Sequence, residues 1–386
     1  MIIFYTVLLR RRHFLLTTSS LLLVSCGQGL GLGARTNLII GGGQFIPPNG
    51  RHKQYVLSVL ELEQQQQHLS PMTFLPHGIH RNPQKASQLA VFEKIGPGAC
   101  EYDLDSRKVI RPIAALPDHL FYGHGAYSTD GSLLFATESG IGTKDGTISV
   151  RDANTLSVLG RFPSYGKSPH ECKLVDQGRT MLVTNGGGVQ GDEPPSVSYI
   201  DVDSQKLLER VTLENEDLNA GHVALSSSGQ LLVVSAPRAG LSQRRAGGVS
   251  MGVEDGKLLQ AKANSVVSEK LFGEALSVSI HDELNLAAVT HPDGNILTIW
   301  SLKEQRLLKS IQLPGPRGVE LSSDQSAFIV SFGSEASVLK IPVDTLEPER
   351  KSTQSGTFIT GSHIYNWSSG IRELNYSSGV RNSVSA

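Results

Sequence analysis

Histidines recur where repeated segments of the chain open, and imidazole is the side chain there with the most chemistry to offer. They stand in Pro76-His77-Gly78-Ile79-His80, Tyr122-Gly123-His124-Gly125, Ser168-Pro169-His170-Glu171, Gly221-His222 and Ser362-His363. A neutral imidazole presents one in-plane lone pair and suits first-row transition metals, while carboxylates add harder oxygen donors. The candidate metal ligands are therefore His77, His80, His124, His170, Glu171, His222 and His363, with Glu138 as a further oxygen donor and iron or copper as the candidate ion. The competing reading is architectural. A histidine at a recurring strand start can hydrogen-bond the backbone of the next repeat, and a duplicated unit duplicates its structural residues. One imidazole per repeat is not by itself a defined ligand set.

Other chemistries lack their machinery. The runs Ile40-Gly41-Gly42-Gly43 and Asn185-Gly186-Gly187-Gly188 follow strand-like segments but precede no helical pattern, so neither can cradle a phosphate at a helix N-terminus. No Gly-x-Ser-x-Gly elbow leads into a helix. A formal net charge of -1 gives no sign of a nucleic-acid-binding surface. Cys100 and Cys172 fall in different repeats and read as buried thiols.

The elements that would position the histidines come from the repeat. His124-Gly125-Ala126-Tyr127-Ser128-Thr129-Asp130-Gly131-Ser132-Leu133-Leu134-Phe135 aligns with His222-Val223-Ala224-Leu225-Ser226-Ser227-Ser228-Gly229-Gln230-Leu231-Leu232-Val233. The pattern returns around Glu171–Val183, at Ser277–Ile280 and at Gly318–Asp324. Each unit is a short alternating strand, a Ser/Asp/Gly turn and a second apolar strand. Third strands (Gly146–Val150, Val197–Asp201, Ile296–Trp300) and fourth strands (Ser157–Phe162, Lys206–Leu213, Arg306–Leu313) follow. Period-2 alternation between turn residues means sheet. Four strands every 41 to 55 residues is the spacing of β-propeller blades.

Blade starts fall near His77, His124, His170, His222, Ser277 and Gly318. Residues 38–76 supply three more strands (Leu38–Ile40, Tyr55–Glu61, Met72–Leu75), and Ser362–Trp367 supplies the missing first strand. The expected fold is thus an all-β, seven-bladed propeller over residues 38–367, its ring closed by both ends of the chain. In such a ring the first strands line the central channel, which would gather the histidines on one axis. The Ser/Asn/Gly-rich tail, 368–386, is expected to be disordered.

Residues 1–37 read as an export signal. Arg10-Arg11-Arg12-His13-Phe14-Leu15 precedes a short apolar stretch, and the arginine pair is similar to a twin-arginine signal. Leu23-Val24-Ser25-Cys26 resembles a lipoprotein box with Cys26 as the lipidated residue, which would place the protein in the periplasm or cell envelope, held to a membrane only by a lipid or signal anchor.

Together the arginine-pair signal, Pro76-His77-Gly78, Phe121-Tyr122-Gly123-His124-Gly125, Ala136-Thr137-Glu138, Gly166-Lys167-Ser168-Pro169-His170-Glu171 and Thr184-Asn185-Gly186-Gly187 resemble the bacterial family called domain of unknown function 1513. The resemblance spans most of residues 38–340. It implies an exported propeller similar to the quinoprotein amine dehydrogenase β-chain-like and WD-repeat superfamilies. It also implies a setting near imelysin-like, periplasmic iron-uptake-type proteins, and so metal handling with such proteins as partners. No activity comes with it. The expected function is a binding module using the channel histidines. The alternatives are an interaction scaffold without a small ligand and a quinoprotein- or lactonase-like enzyme.

Overall fold

The structure is a computed structural model, and it describes residues 37–367. Of the export-signal segment 1–37, residues 1–36 with the Cys26 box lie outside the described residues, as does the tail from residue 368.

Alternating apolar positions pair into four-stranded antiparallel units, seven in all among the described residues. Blade 1 is built from Pro76–Asn82, Lys85–Glu93, Ala99–Asp103 and Lys108–Pro112. Blade 2 runs from His119–Tyr127 to Val158–Lys167, blade 3 from Pro169–Val175 to Leu207–Leu213, and blade 4 from His222–Leu225 to Lys257–Gln260. Blades 5 and 6 open on Val278–His281 and Val319–Leu321. The outer strands of blades 3 and 4 touch in a short parallel pair, Thr212 with Lys257 and Leu213 with Leu258, merging the two into one eight-stranded sheet.

Blade 7 is shared between the chain ends, as its missing first strand requires. Ile364–Asn366 pairs with Leu38–Phe45, setting Ile39 opposite Asn366 and Gly41 opposite Ile364. Gln54–Glu61 and Gln66–Met72 complete it. The third strand thus begins six residues before the expected Met72, because the turn after Glu61 is tight and Gln66 pairs directly with Glu61.

Each blade buries both faces against its neighbours, and the apolar clusters trace the ring. Leu57 and Ile40 of blade 7 pack on Ile79 and Val91 of blade 1. Phe92 of blade 1 meets Phe121 and Ala136 of blade 2, and Phe135 and Ile148 meet Cys172 and Met181 of blade 3. Leu182 and Val197 meet Val223 and Val233. Leu232 and Val249 pack against Ala287 and the fully buried Trp300 of blade 5. Ala288 and Leu297 meet Phe328 and Leu339 of blade 6. The circuit closes where Ile329 and Val338 pack on Ile39 and Leu60 of blade 7. Cys100 and Cys172 are free and buried, in blades 1 and 3.

Candidate metal centre

The first strands line the axis, and three of them depart from regular pairing where a histidine stands. Pro76 faces Glu93 while Gly78 faces Phe92, so His77 is an extra residue on its strand. Phe121 faces Glu138 but Gly125 faces Ala136, leaving Tyr122-Gly123-His124 to span one partner. Pro169 faces Asn185 and Cys172 faces Val183, with His170 and Glu171 between. A β-bulge re-aims the side chains it carries. These three turn imidazoles inward, while His222 reaches the axis from a regular pair with Val234.

Packing here demands a glycine. Gly123 sits at φ +119°, and a Cβ on it would come within 2.7 Å of His170 Cε1. That position is both left-handed and crowded, so only glycine lets the rings meet.

The result is a cluster of four buried imidazoles, His77, His124, His170 and His222, each with one ring nitrogen within 4.8 Å of those of the others. His170 Nε2 lies 3.3 Å from His77 Nε2 and 3.2 Å from His222 Nε2. His170 Nδ1 is 2.9 Å from the Tyr122 carbonyl, which can only accept, so Nδ1 carries the proton and Nε2 the lone pair. One lone pair cannot take two N–H donors in line. Both nitrogens of His124 and Nδ1 of His222 are buried without a partner. Buried polar groups are normally satisfied, so such a concentration of exceptions asks for a ligand.

A metal ion would meet that demand. Metal–imidazole bonds of about 2.0–2.1 Å put trans ligand nitrogens ~4.2 Å apart and tetrahedral ones ~3.4 Å apart, so the widest separation in the cluster, 4.8 Å, would close by about 0.6–1.4 Å around an ion. A second partner already orients one ring, the Tyr122 carbonyl on His170, while Glu171 Oε2 stands 3.5 Å from His222 Nδ1 without a hydrogen bond. A ligating histidine typically gives its other nitrogen to such a group. Burial, with the neighbouring imidazoles adding, holds His77 well below its ordinary pKa. Burial also holds down His124, His222 and His363, and brings His170 to about 4. The rings are therefore neutral at neutral pH with lone pairs available.

The remaining sequence candidates take other places. Glu171 lies outside the four-nitrogen group. Burial pushes its pKa up, but Lys173, nearby imidazoles and the Val223 N–H outweigh this and bring it to about 2. It is a carboxylate beside the cluster. His363 packs 4.1 Å from His222 between ring centroids, with Nδ1 3.4 Å from Ser277 Oγ and Nε2 unpartnered. His80, farther along its strand, has a buried, unpartnered Nε2 and a ring 5.5 Å from His124. Glu138 is not a ligand: one oxygen pairs with Arg151 Nη2 at 2.7 Å and the other accepts the Leu116 N–H, inside blade 2.

What the sequence reading missed is a hydroxyl thirteen residues after four of the blade openings. Thr137 Oγ1 bonds the His124 N–H and donates to the His124 and His170 carbonyls. Thr184 does the same for Glu171 N and the Gly221 carbonyl, Thr290 for Ser277 N and the Arg317 carbonyl. Ser331 binds Gly318 N. The constant interval was the available signal. A cavity of about 130 Å³ flanks the cluster on the His170 side, and the Lys94–Glu274 ion pair, 3.3 Å long, joins blade 1 to the segment entering blade 5 beside it.

Residues 71–358 match the model of the family described as "Protein of unknown function (DUF1513)". The chain belongs to this family. No curated protein matches the chain. Among solved structures, hydrazine synthase of Kuenenia stuttgartiensis is similar with a TM-score of 0.59 at 14% identity, covering 82% of this chain and 98% of that one. At that identity the likeness concerns the fold, and it places this family member among β-propellers.

Proposed function

We propose that the protein is a metal-binding module of the periplasm or cell envelope that holds one transition ion, iron or copper, between His77, His124, His170 and His222. The observation that carries this reading is the cluster itself, with four buried, neutral imidazoles whose nitrogens lie within 4.8 Å of one another. The arginine pair and the Leu23-Val24-Ser25-Cys26 box support export and a lipid anchor. The family resemblance supports a role in iron handling alongside imelysin-like partners.

The test is metal content, by plasma mass spectrometry, of protein purified from the periplasm and after reconstitution with iron(II) or copper(II). The wild type should carry about one ion per chain. The His124→Ala/His222→Ala variant, still folded by circular dichroism, should carry almost none. A wild type that stays metal-free after reconstitution refutes the reading.

A further inference from the structure

On the side of the cluster away from Lys94, the channel opens into a chamber of about 80 Å³. Its wall includes His124, His222, His363, Glu171, Lys173 and Glu320. Unpartnered nitrogens border this space: both of His124, Nδ1 of His222 and Nε2 of His363. They cannot all be spent on one ion, since each ring offers a single lone pair to a metal.

The charges at the chamber are already arranged. Glu171 is held by the Val223 N–H at 2.8 Å and by Lys173 at 3.2 Å. Glu320 accepts from Ser279 Oγ and the Leu321 N–H. Lys173 also donates to the Val223 carbonyl, which leaves one of its three N–H groups unassigned among the described contacts. A divalent ion and Lys173, set against Glu171 and Glu320, leave one positive charge. Lys173 is 34% exposed, so solvent screens part of that charge, and what falls on the buried imidazoles is costly to leave uncompensated. The volume leaves room for a ligand of a few heavy atoms beside the ion.

We propose that this chamber receives a small monoanion, of hydroxide to azide or formate size, which binds the ion directly and is held by Lys173 and His363. The proposal rests on the metal reading above. It makes the site an open centre, with protein ligands on one side and an exchangeable ligand on the other, where a structural site would be closed. His363 is then a ligand-contacting residue and not a fifth metal ligand, which accounts for its Nε2 lying outside the four-nitrogen group.

The experiment uses the full chain loaded with copper(II) and titrated with sodium azide, following the azide-to-copper charge-transfer absorption. Copper per chain is measured in every sample. Azide should bind saturably, with one site per copper. Lys173→Met and His363→Phe should each weaken azide about tenfold per bound copper, the loss expected for a charge-assisted or buried hydrogen bond. Lys144→Met, on the opposite mouth, should leave azide affinity unchanged. Copper that binds without any azide-dependent band overturns the chamber while sparing the metal reading. So does wild-type azide affinity in both Lys173→Met and His363→Phe. Failure of copper and iron to bind at all overturns both.

Discussion

The ring has two arcs built on one plan. Blades 2 and 3 open with His124 and His170-Glu171, and blades 5 and 6 open with Ser277 and Gly318. In both arcs a hydroxyl thirteen residues on ties the opening strand in place: Thr137 and Thr184 in one, Thr290 and Ser331 in the other. Thr137, Thr184 and Thr290 also reach the carbonyl of the next blade. The hydroxyls therefore do the blade-to-blade bonding that an architectural histidine was expected to do. Of the four clustered rings, among the described residues, only His170 bonds a neighbouring blade's backbone, at Tyr122. The arc whose openings carry no histidine closes equally well, with His281 Nε2 bonding the Gln325 carbonyl across blades 5 and 6, so the imidazoles at the openings of the other arc are additional to the architecture.

The hardest blow to that contrast is Gly123→Ala. The new Cβ would meet His170 Cε1 at 2.7 Å from a backbone at φ +119°, so both the bulge and the ring must move. Metal affinity should fall about 100-fold, the upper end of what misplacing a ligand costs. Isothermal titration with copper(II), beside circular dichroism to confirm folding, reads the effect. Unchanged affinity would mean that the rings do not need their present packing.

A finer test removes the shared device from each arc. Thr137→Val and Thr290→Val both leave a buried N–H unsatisfied and should each cost about 1–3 kcal/mol in urea unfolding. Only Thr137 fixes histidine backbone, at His124 and His170, so only its variant should also weaken metal, by about tenfold. Equal metal loss in both variants would show that general loosening of the ring, and not local positioning, controls the site.

Much of this was legible before any coordinates. The alternating strands and Ser/Asp/Gly turns are local signals, so blade openings could be placed, and the lone strands of residues 38–76 implied closure by Ser362–Trp367. Convergence of His77, His124, His170 and His222 followed from the propeller geometry. The selection among candidates did not. Glu138 and Glu171 look alike in sequence, yet Arg151 and the Leu116 N–H claim the first while the second ends 3.5 Å from His222. Those partners are set by bulges and by contacts between distant segments, as is the Lys94–Glu274 pair. The hydroxyl interval was visible, but only hydrogen bonding gives it meaning.

The smallest expected effect compares buried imidazoles in the two arcs through acid. Burial holds His170 at about 4, with Lys94 adding to the fall, and burial alone holds His291 of blade 5 at about 3. Both pKa values lie below the unfolded value of about 6.5. The unfolded chain therefore binds more protons than the fold as the pH drops below that value. The stability that neutral burial represents is full above pH 6.5 and is lost progressively as the pH falls toward 4 and then 3. Metal-free protein should thus melt lower at pH 5 than at pH 7. His291 Nε2 bonds Thr298 Oγ1 at 2.9 Å, a contact that glutamine can approximate, so His291→Gln removes one such proton with little repacking. Calorimetry at fixed ionic strength should find the difference in Tm between pH 7 and pH 5 smaller by about 3 °C in the variant, the share of one imidazole in a chain of this size. The same variant should bind copper as the wild type does, because His291 lies outside the proposed metal centre. An unaltered pH dependence would mean that His291 takes up its proton while folded, and that burial in blade 5 is looser than its packing indicates.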